Sequence, residues 1–174
     1  NAAGEIGVRS AGWTGHLSAE RHQQDGFDLT PTTFDMTGAP FARIDYVGRV
    51  RGRVAPAIAV SSFVAGYDNH STGRAIGELG PQEDEIDERT LNVNGALDWQ
   101  PGAATTAQFR AYHALYRERS AGRLASPEPA PLPPGALDED LLKLDASVSR
   151  VIGSRQHVRG GVEYWREEYS GTNR

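Results

Sequence analysis

Between Ala42 and Val54 apolar and polar residues alternate almost without interruption. Ala42, Ile44, Tyr46, Gly48, Val50, Gly52 and Val54 occupy the even positions, and Arg43, Asp45, Val47, Arg49, Arg51 and Arg53 the odd ones. A period of two places alternate side chains on opposite faces of a strand, and sustained over this length it excludes a helix. After only Ala55, Pro56 and Ala57 a second apolar segment runs to Tyr67, so Phe41 to Tyr67 reads as a tight hairpin.

The same alternation recurs along the chain. A short strand, Glu5 to Ser10, leads through Ala11 and Gly12 into a second, Trp13 to Arg21, with Trp13, Leu17 and Ala19 on one face. Arg89 to Trp99 sets Leu91, Val93, Gly95, Leu97 and Trp99 against Thr90, Asn92, Asn94 and Asp98. Thr105 to Arg119 sets Ala107, Phe109, Ala111 and Leu115 against Gln108, Arg110, Tyr112 and Glu118. Leu141 to Ile152 and a last strand through Val158, Val162 and Tyr164 complete a set of eight.

The connections alternate too. Ala11-Gly12, Ala55 to Ala57, Gln100 to Ala103 and Gly153-Ser154 read as short turns. At Gln100-Pro101-Gly102-Ala103 a type II turn is expected, with Pro fixing the first central residue and Gly supplying positive φ at the second. Between these turns lie three long loops, Gln23 to Pro40, Asp68 to Asp87 and Ser120 to Leu137. The third contains SPEPAPLPPG, expected to be extended and polyproline-like; Pro131 to Pro134 has the form of an SH3 ligand, for which an ordinary loop is the simpler account.

Strict alternation of short turns with long loops is the habit of outer-membrane barrels, whose periplasmic turns are short and whose external loops are long. Such a barrel gathers Trp and Tyr on its lipid face at two heights. Trp13 and Trp99 flank short turns, while Tyr67 and Tyr164 lie a strand's height above theirs, so these four are expected at the lipid interfaces, with Tyr46 and Phe63 also in the upper half. The alternative is that the aromatics fill a soluble core, but the glycines at 48, 52, 95 and 160 would pack such a core poorly.

Composition agrees with this reading without selecting it. No apolar run approaches the roughly 20 residues of a membrane helix, and a mean hydropathy of -0.53 leaves strand-built membrane proteins open. With 18 Lys and Arg against 23 Asp and Glu, the net charge of -5 argues against a nucleic-acid surface. The absence of cysteine removes disulfides and thiolate metal sites. No signal peptide is visible, and the segment reads as an excised part of a longer protein.

Three stretches give the chain a family resemblance: SAERHQQDGFDL, a strand entering a loop through Gly-aromatic-Asp; SSFVAGYDNHSTG, where strand meets loop at Gly66-Tyr67-Asp68; and LDEDLLKLDASVSRVIGSRQHVRGGVEYWREEYSG, a hairpin with an acidic-aromatic exit. In these the chain resembles the barrel of TonB-dependent outer-membrane receptors, over nearly its whole length and about strands two to nine of 22. The resemblance implies an all-β antiparallel transmembrane barrel portion. It implies energy-coupled uptake of a scarce nutrient, such as an iron-siderophore or cobalamin, by a non-enzymatic receptor in the bacterial outer membrane. Its partners would be that ligand, a plug domain not seen in this sequence, TonB acting through the plug, and outer-membrane lipid or lipopolysaccharide.

On this reading Arg43, Asp45, Arg49, Arg51 and Arg53 face the lumen, where the lower arginines await plug or neighbouring-strand carboxylates such as Asp98. Ligand contacts, if any lie in this segment, are expected from the long loops and upper lumen, at Asp68, Asn69, His70, Arg74, Tyr112 and Glu163, though an ordinary solvated polar residue is the simpler account of each. The run Glu83-Asp84-Glu85 with Asp87 and Glu88 has the oxygen ligands a Ca²⁺ ion prefers, but not the EF-hand spacing, so neither metal nor cofactor is expected. The five histidines lack metal-ligand spacing, and His70 beside Asp68 and Ser71 is a weak local trio for catalysis. Two other readings stand beside the receptor: a complete small eight-stranded outer-membrane barrel with rim enzyme or adhesion activity, and a soluble β-sandwich.

Overall fold

The computed structural model describes residues 1–125, 129–153 and 156–172. They form one antiparallel sheet of nine strands: β1 (Ala2–Ser10), β2 (Trp13–Gln24), β3 (Phe41–Ala55), β4 (Ile58–Gly77), β5 (Gly80–Gly102), β6 (Thr105–Leu124), β7 (Ala130–Pro131), β8 (Gly135–Ile152) and β9 (Gln156–Thr172). Neighbours in sequence are neighbours in the sheet, except that the two-residue β7 only caps the end of β6 and leaves β6 to pair with β8. The sheet is open, since β1 and β9 do not pair with each other.

The hairpin of β3 and β4 forms as the alternation demands, with Gly48 opposite Val64 and Arg49 opposite Phe63. The turn between β5 and β6 differs from expectation. Gly102 is still in the strand and is not among the glycines with positive φ, which are Gly12, Gly80 and Gly153. The chain reverses at Ala103-Ala104, and a register shift between Trp99 and Gly102 absorbs the extra residues that Pro101 keeps out of the ladder. The turn expected at Gly153-Ser154 falls partly outside the described residues, as do Ser126, Pro127 and Glu128 of the proline-rich stretch. In the rest of that stretch Ala130–Pro131 pairs with the end of β6, and Leu132 N donates to Gly122 O at 2.8 Å.

The largest correction concerns Asp68 to Asp87, read above as a loop. There β4 and β5 continue as an unbroken ladder, His70 opposite Asp87 and Gly77 opposite Gly80, and reverse at Glu78-Leu79. Gly80, at φ 112°, makes the reversal possible. Both faces of this ribbon are polar, so the period-two signal vanishes although the strands do not end. For the same reason β6 runs on to Leu124 and β8 begins at Gly135. The first long loop is a true one, closed by a bridge between Phe27 and Gly38 and held to the ribbon by Met36 N donating to Arg74 O at 3.2 Å.

Pairing carries each strand's faces across the sheet. On one face lie Ile6 and Val8 (β1), Trp13 and Leu17 (β2), Tyr46 and Val50 (β3), Val60 and Val64 (β4), Leu91, Val93, Leu97 and Trp99 (β5), Phe109 and Leu115 (β6), Leu144 and Val148 (β8), and Val162 and Tyr164 (β9). This is a continuous apolar band, interrupted by His113 and Asp140, which lie 3.2 Å apart, and by the Arg166–Glu168 pair. Leu91 to Trp99 spans roughly 27 Å along the strand at about 3.4 Å per residue. Nothing covers the band: among the described residues no apolar side chain is buried, and Leu17, Val50 and Val162 are 54%, 47% and 74% exposed. The protein is a single layer without a core of its own. Among the described residues no helix is long and apolar enough to cross a membrane, a fact that says nothing of strands.

Candidate functional site

The other face is polar, and its residues stand in transverse rows set by the register. One row reads Asp45, Tyr67, Thr90, Tyr116, Glu139 and Tyr169 from β3 to β9. Four residue pairs nearer the short turns, another reads Arg49, Phe63, Asn94, Tyr112, Lys143 and Trp165. Beneath that come Arg51, Ser61, Ala96, Arg110, Asp145 and Glu163. Aromatic rings recur in the first two of these rows, and in the short-turn half arginines stand among the carboxylates Asp98, Asp145 and Glu163.

In the upper half most charges are matched. Arg43 donates to Asp45 through Nε at 3.0 Å and lies over the ring of Tyr67, 3.9 Å from its centroid. Its pKa is raised, chiefly by the hydrogen bond to Asp45, against the lowering effect of burial. Glu88 accepts from Asn69 Nδ2 at 2.8 Å and from the Tyr116 hydroxyl at 3.3 Å, and the same hydroxyl donates to Glu118 at 2.7 Å. Tyr112 donates to Asn92 at 2.8 Å, and Lys143 Nζ lies 3.0 Å from Glu163.

The six residues expected to contact a ligand do not converge. Asn69, Tyr112 and Glu163 lie on the polar face, whereas Asp68, His70 and Arg74 share the face of the apolar band, beyond its upper end. There Asp68 lies 3.3 Å from Arg89, and Arg74 stacks over Phe34 at 5.7 Å. A charged row crosses this margin, Asp68, Arg89, Arg117 and Asp138, in which the two central arginines face each other and each turns to the carboxylate on its outer side.

Among the expected interface aromatics, Trp13, Trp99 and Tyr164 lie on the apolar face. Tyr67 does not: it is opposite Asp45, on the arginine face, and Phe63 stands there too, opposite Arg49. The reason is local. From Ile58 to Tyr67 both faces of β4 are apolar enough to be the greasy one, and only the pairing with β3 decides. Arg43, Asp45, Arg49, Arg51 and Arg53 do share one face.

The acidic run near Glu85 cannot act as one cluster, because the strand sends Glu83, Glu85 and Asp87 to one face and Asp84 and Glu88 to the other. Glu83 is already paired with Arg123. His70, Glu85 and Asp87 do bring three ligand atoms within 4.8 Å of one another, with His70 Nδ1 2.8 Å from Asp87, but all three are exposed and the proximity is that of an ordinary imidazole–carboxylate contact. Ser71 is on the opposite face from Asp68 and His70, which removes the catalytic trio. Residues missed in the sequence are Tyr116, which ties Glu88 to Glu118, and Arg110; both were readable as members of the polar face of their strand.

Comparison of the chain with protein-family models, with curated proteins and with solved structures finds no match in any of the three.

Proposed function

We propose that this sheet is part of the wall of an outer-membrane β-barrel of the TonB-dependent receptor type, serving uptake of a scarce nutrient such as an iron-siderophore or cobalamin, and not catalysis. The observation that supports the reading is the apolar band on a single-layered sheet with no buried core. Tilted by about 40°, a band of that length rises about 20 Å, close to the roughly 25 Å apolar belt of such barrels. A lipid environment satisfies it where water would not, and the ribbons of β4 and β5 then stand above the membrane as external hairpins. The polar face becomes the lumen. The open edges at β1 and β9 favour a wall segment over the small, closed eight-stranded barrel.

Tryptophan quenching tests this. In vesicles containing lipids brominated on their acyl chains, Trp13 and Trp99 on the apolar face are expected to be quenched, and Trp165 on the polar face to be spared, when each is the only tryptophan left in the full protein. Equal quenching of all three, or of none, would overturn the proposal. Recovery of the protein in the soluble fraction as a detergent-free monomer would do the same.

A further inference from the structure

We infer that the short-turn half of the polar face holds a binding site for a small polyanion, one that carries at least two phosphate or carboxylate groups. A groove of about 710 Å³ opens there, within the range of small-molecule sites. Its floor is made of small residues, Ser61 and Ala96, which the register places between Arg51 on β3 and Arg110 on β6. Three strand spacings of about 4.8 Å put these two backbones roughly 14 Å apart, so two long cationic side chains flank a low floor. Arg49 stands one alternate position above Arg51, its guanidinium 5.1 Å from the centroid of the Phe63 ring.

Among the described residues Arg49, Arg51 and Arg110 make no ion pair, unlike Arg43 above them and Lys143 at the height of Arg49, although the chain carries 23 Asp and Glu against 18 Lys and Arg. Of the acids nearby, Asp98 accepts from Gln108 Nε2 at 2.9 Å, and Asp145 stands opposite Arg110 in the ladder without closing an ion pair to it. Guanidinium groups bind planar oxyanions through paired N–H donors, and several of like charge around one hollow repel each other until an anion enters. Ser61 and Asn94 add neutral hydrogen-bonding groups at the floor and upper wall.

The groove lies on the face away from the apolar band, so its test is separate from that of the membrane location. The full protein in detergent is titrated calorimetrically with inorganic tripolyphosphate and with tricarballylate. Saturable binding of either is expected, and the better probe distinguishes a phosphate ligand from a carboxylate one. R51Q/R110Q is expected to weaken it by at least about tenfold, as loss of charge-assisted hydrogen bonds requires. R159Q, on the same face outside the groove, is expected to bind as the unaltered protein does, and circular dichroism of each variant verifies the sheet. The inference is overturned if neither probe binds saturably, if R51Q/R110Q binds undiminished, or if R159Q weakens binding equally, which would mark a diffuse field. A crosslinker at S61C that joins an acidic peptide of the same chain would also overturn it, in favour of a resident segment.

Discussion

Tyr67 lies beneath the guanidinium of Arg43, 3.9 Å from ring centroid to Cζ, while Tyr46, three residues further along β3 from Arg43, points to the opposite face and donates to Thr90 O at 3.1 Å. Two tyrosines at nearly the same height thus stand on opposite faces of the sheet. With the protein in lipid vesicles, a cysteine at position 67 is expected to react with a water-soluble maleimide and a cysteine at 46 to be protected. Equal labelling would mean that the two faces do not meet different media.

The Arg43 contact also has a stability consequence. A cation over an aromatic ring contributes about 0.5–1 kcal/mol at an exposed site and somewhat more when partly buried. Tyr67→Ala is expected to lower unfolding stability by about 1 kcal/mol, and to lose little more when combined with Arg43→Ala. A double-mutant cycle in urea gives the coupling; strict additivity would show the stacking to be inert.

Val50 lies within the apolar band, opposite Gly15 and Ser62. In a bilayer Val50→Arg is expected to destabilise the protein by about 2–4 kcal/mol, whereas Ser61→Arg, one strand over on the polar face, is expected to have a much smaller effect on stability. Unfolding in lipid vesicles measures both. Matching losses would remove the distinction between lipid and lumen faces.

Gly52 passes under the indole of Trp13, and a Cβ at this position would collide with the ring. Gly52→Ala is expected to displace Trp13, shift its fluorescence and destabilise the β2–β3 pair by about 1–3 kcal/mol. An unchanged spectrum would show that the indole does not rest there.

At the far end, Gly80→Val forces a β-branched residue into φ 112°, a conformation that costs of order 1–3 kcal/mol. Hydrogen exchange is expected to accelerate at the tip of the β4–β5 ribbon and to stay unchanged in the apolar band. Unaltered exchange near Gly77 and Gln82 would show the reversal tolerates other backbones.

How much of this could be read from the chain depends on contrast between faces. In β3, arginines alternate with aliphatic residues, and the strand, its partner and its two faces are all legible. In β4 from Ile58 to Tyr67 the contrast is weak, and Tyr67 and Phe63 were assigned to the wrong face. Above Asp68 it disappears, because a ribbon polar on both sides has no period to reveal it, and a ladder was read as a loop. The expected contacts Asp68, Asn69 and His70 were dispersed by the same fact: consecutive residues of a strand cannot share a face. The groove between Arg51 and Arg110 needed register across four strands, which no single strand's pattern contains.

In the bilayer proposed above, the charged row at the top of the apolar band would act as a waterline. Were the sheet to sink by one residue pair, Arg89 and Arg117 would enter hydrocarbon, and the penalty for each climbs toward about 2–4 kcal/mol as it nears the midplane. Were it to rise by the same step, Leu91 and Leu115 would be lifted into water. On that reading the draught of the protein would be fixed by the point on each strand where aliphatic residues give way to ions, independently of how many strands stand beside it.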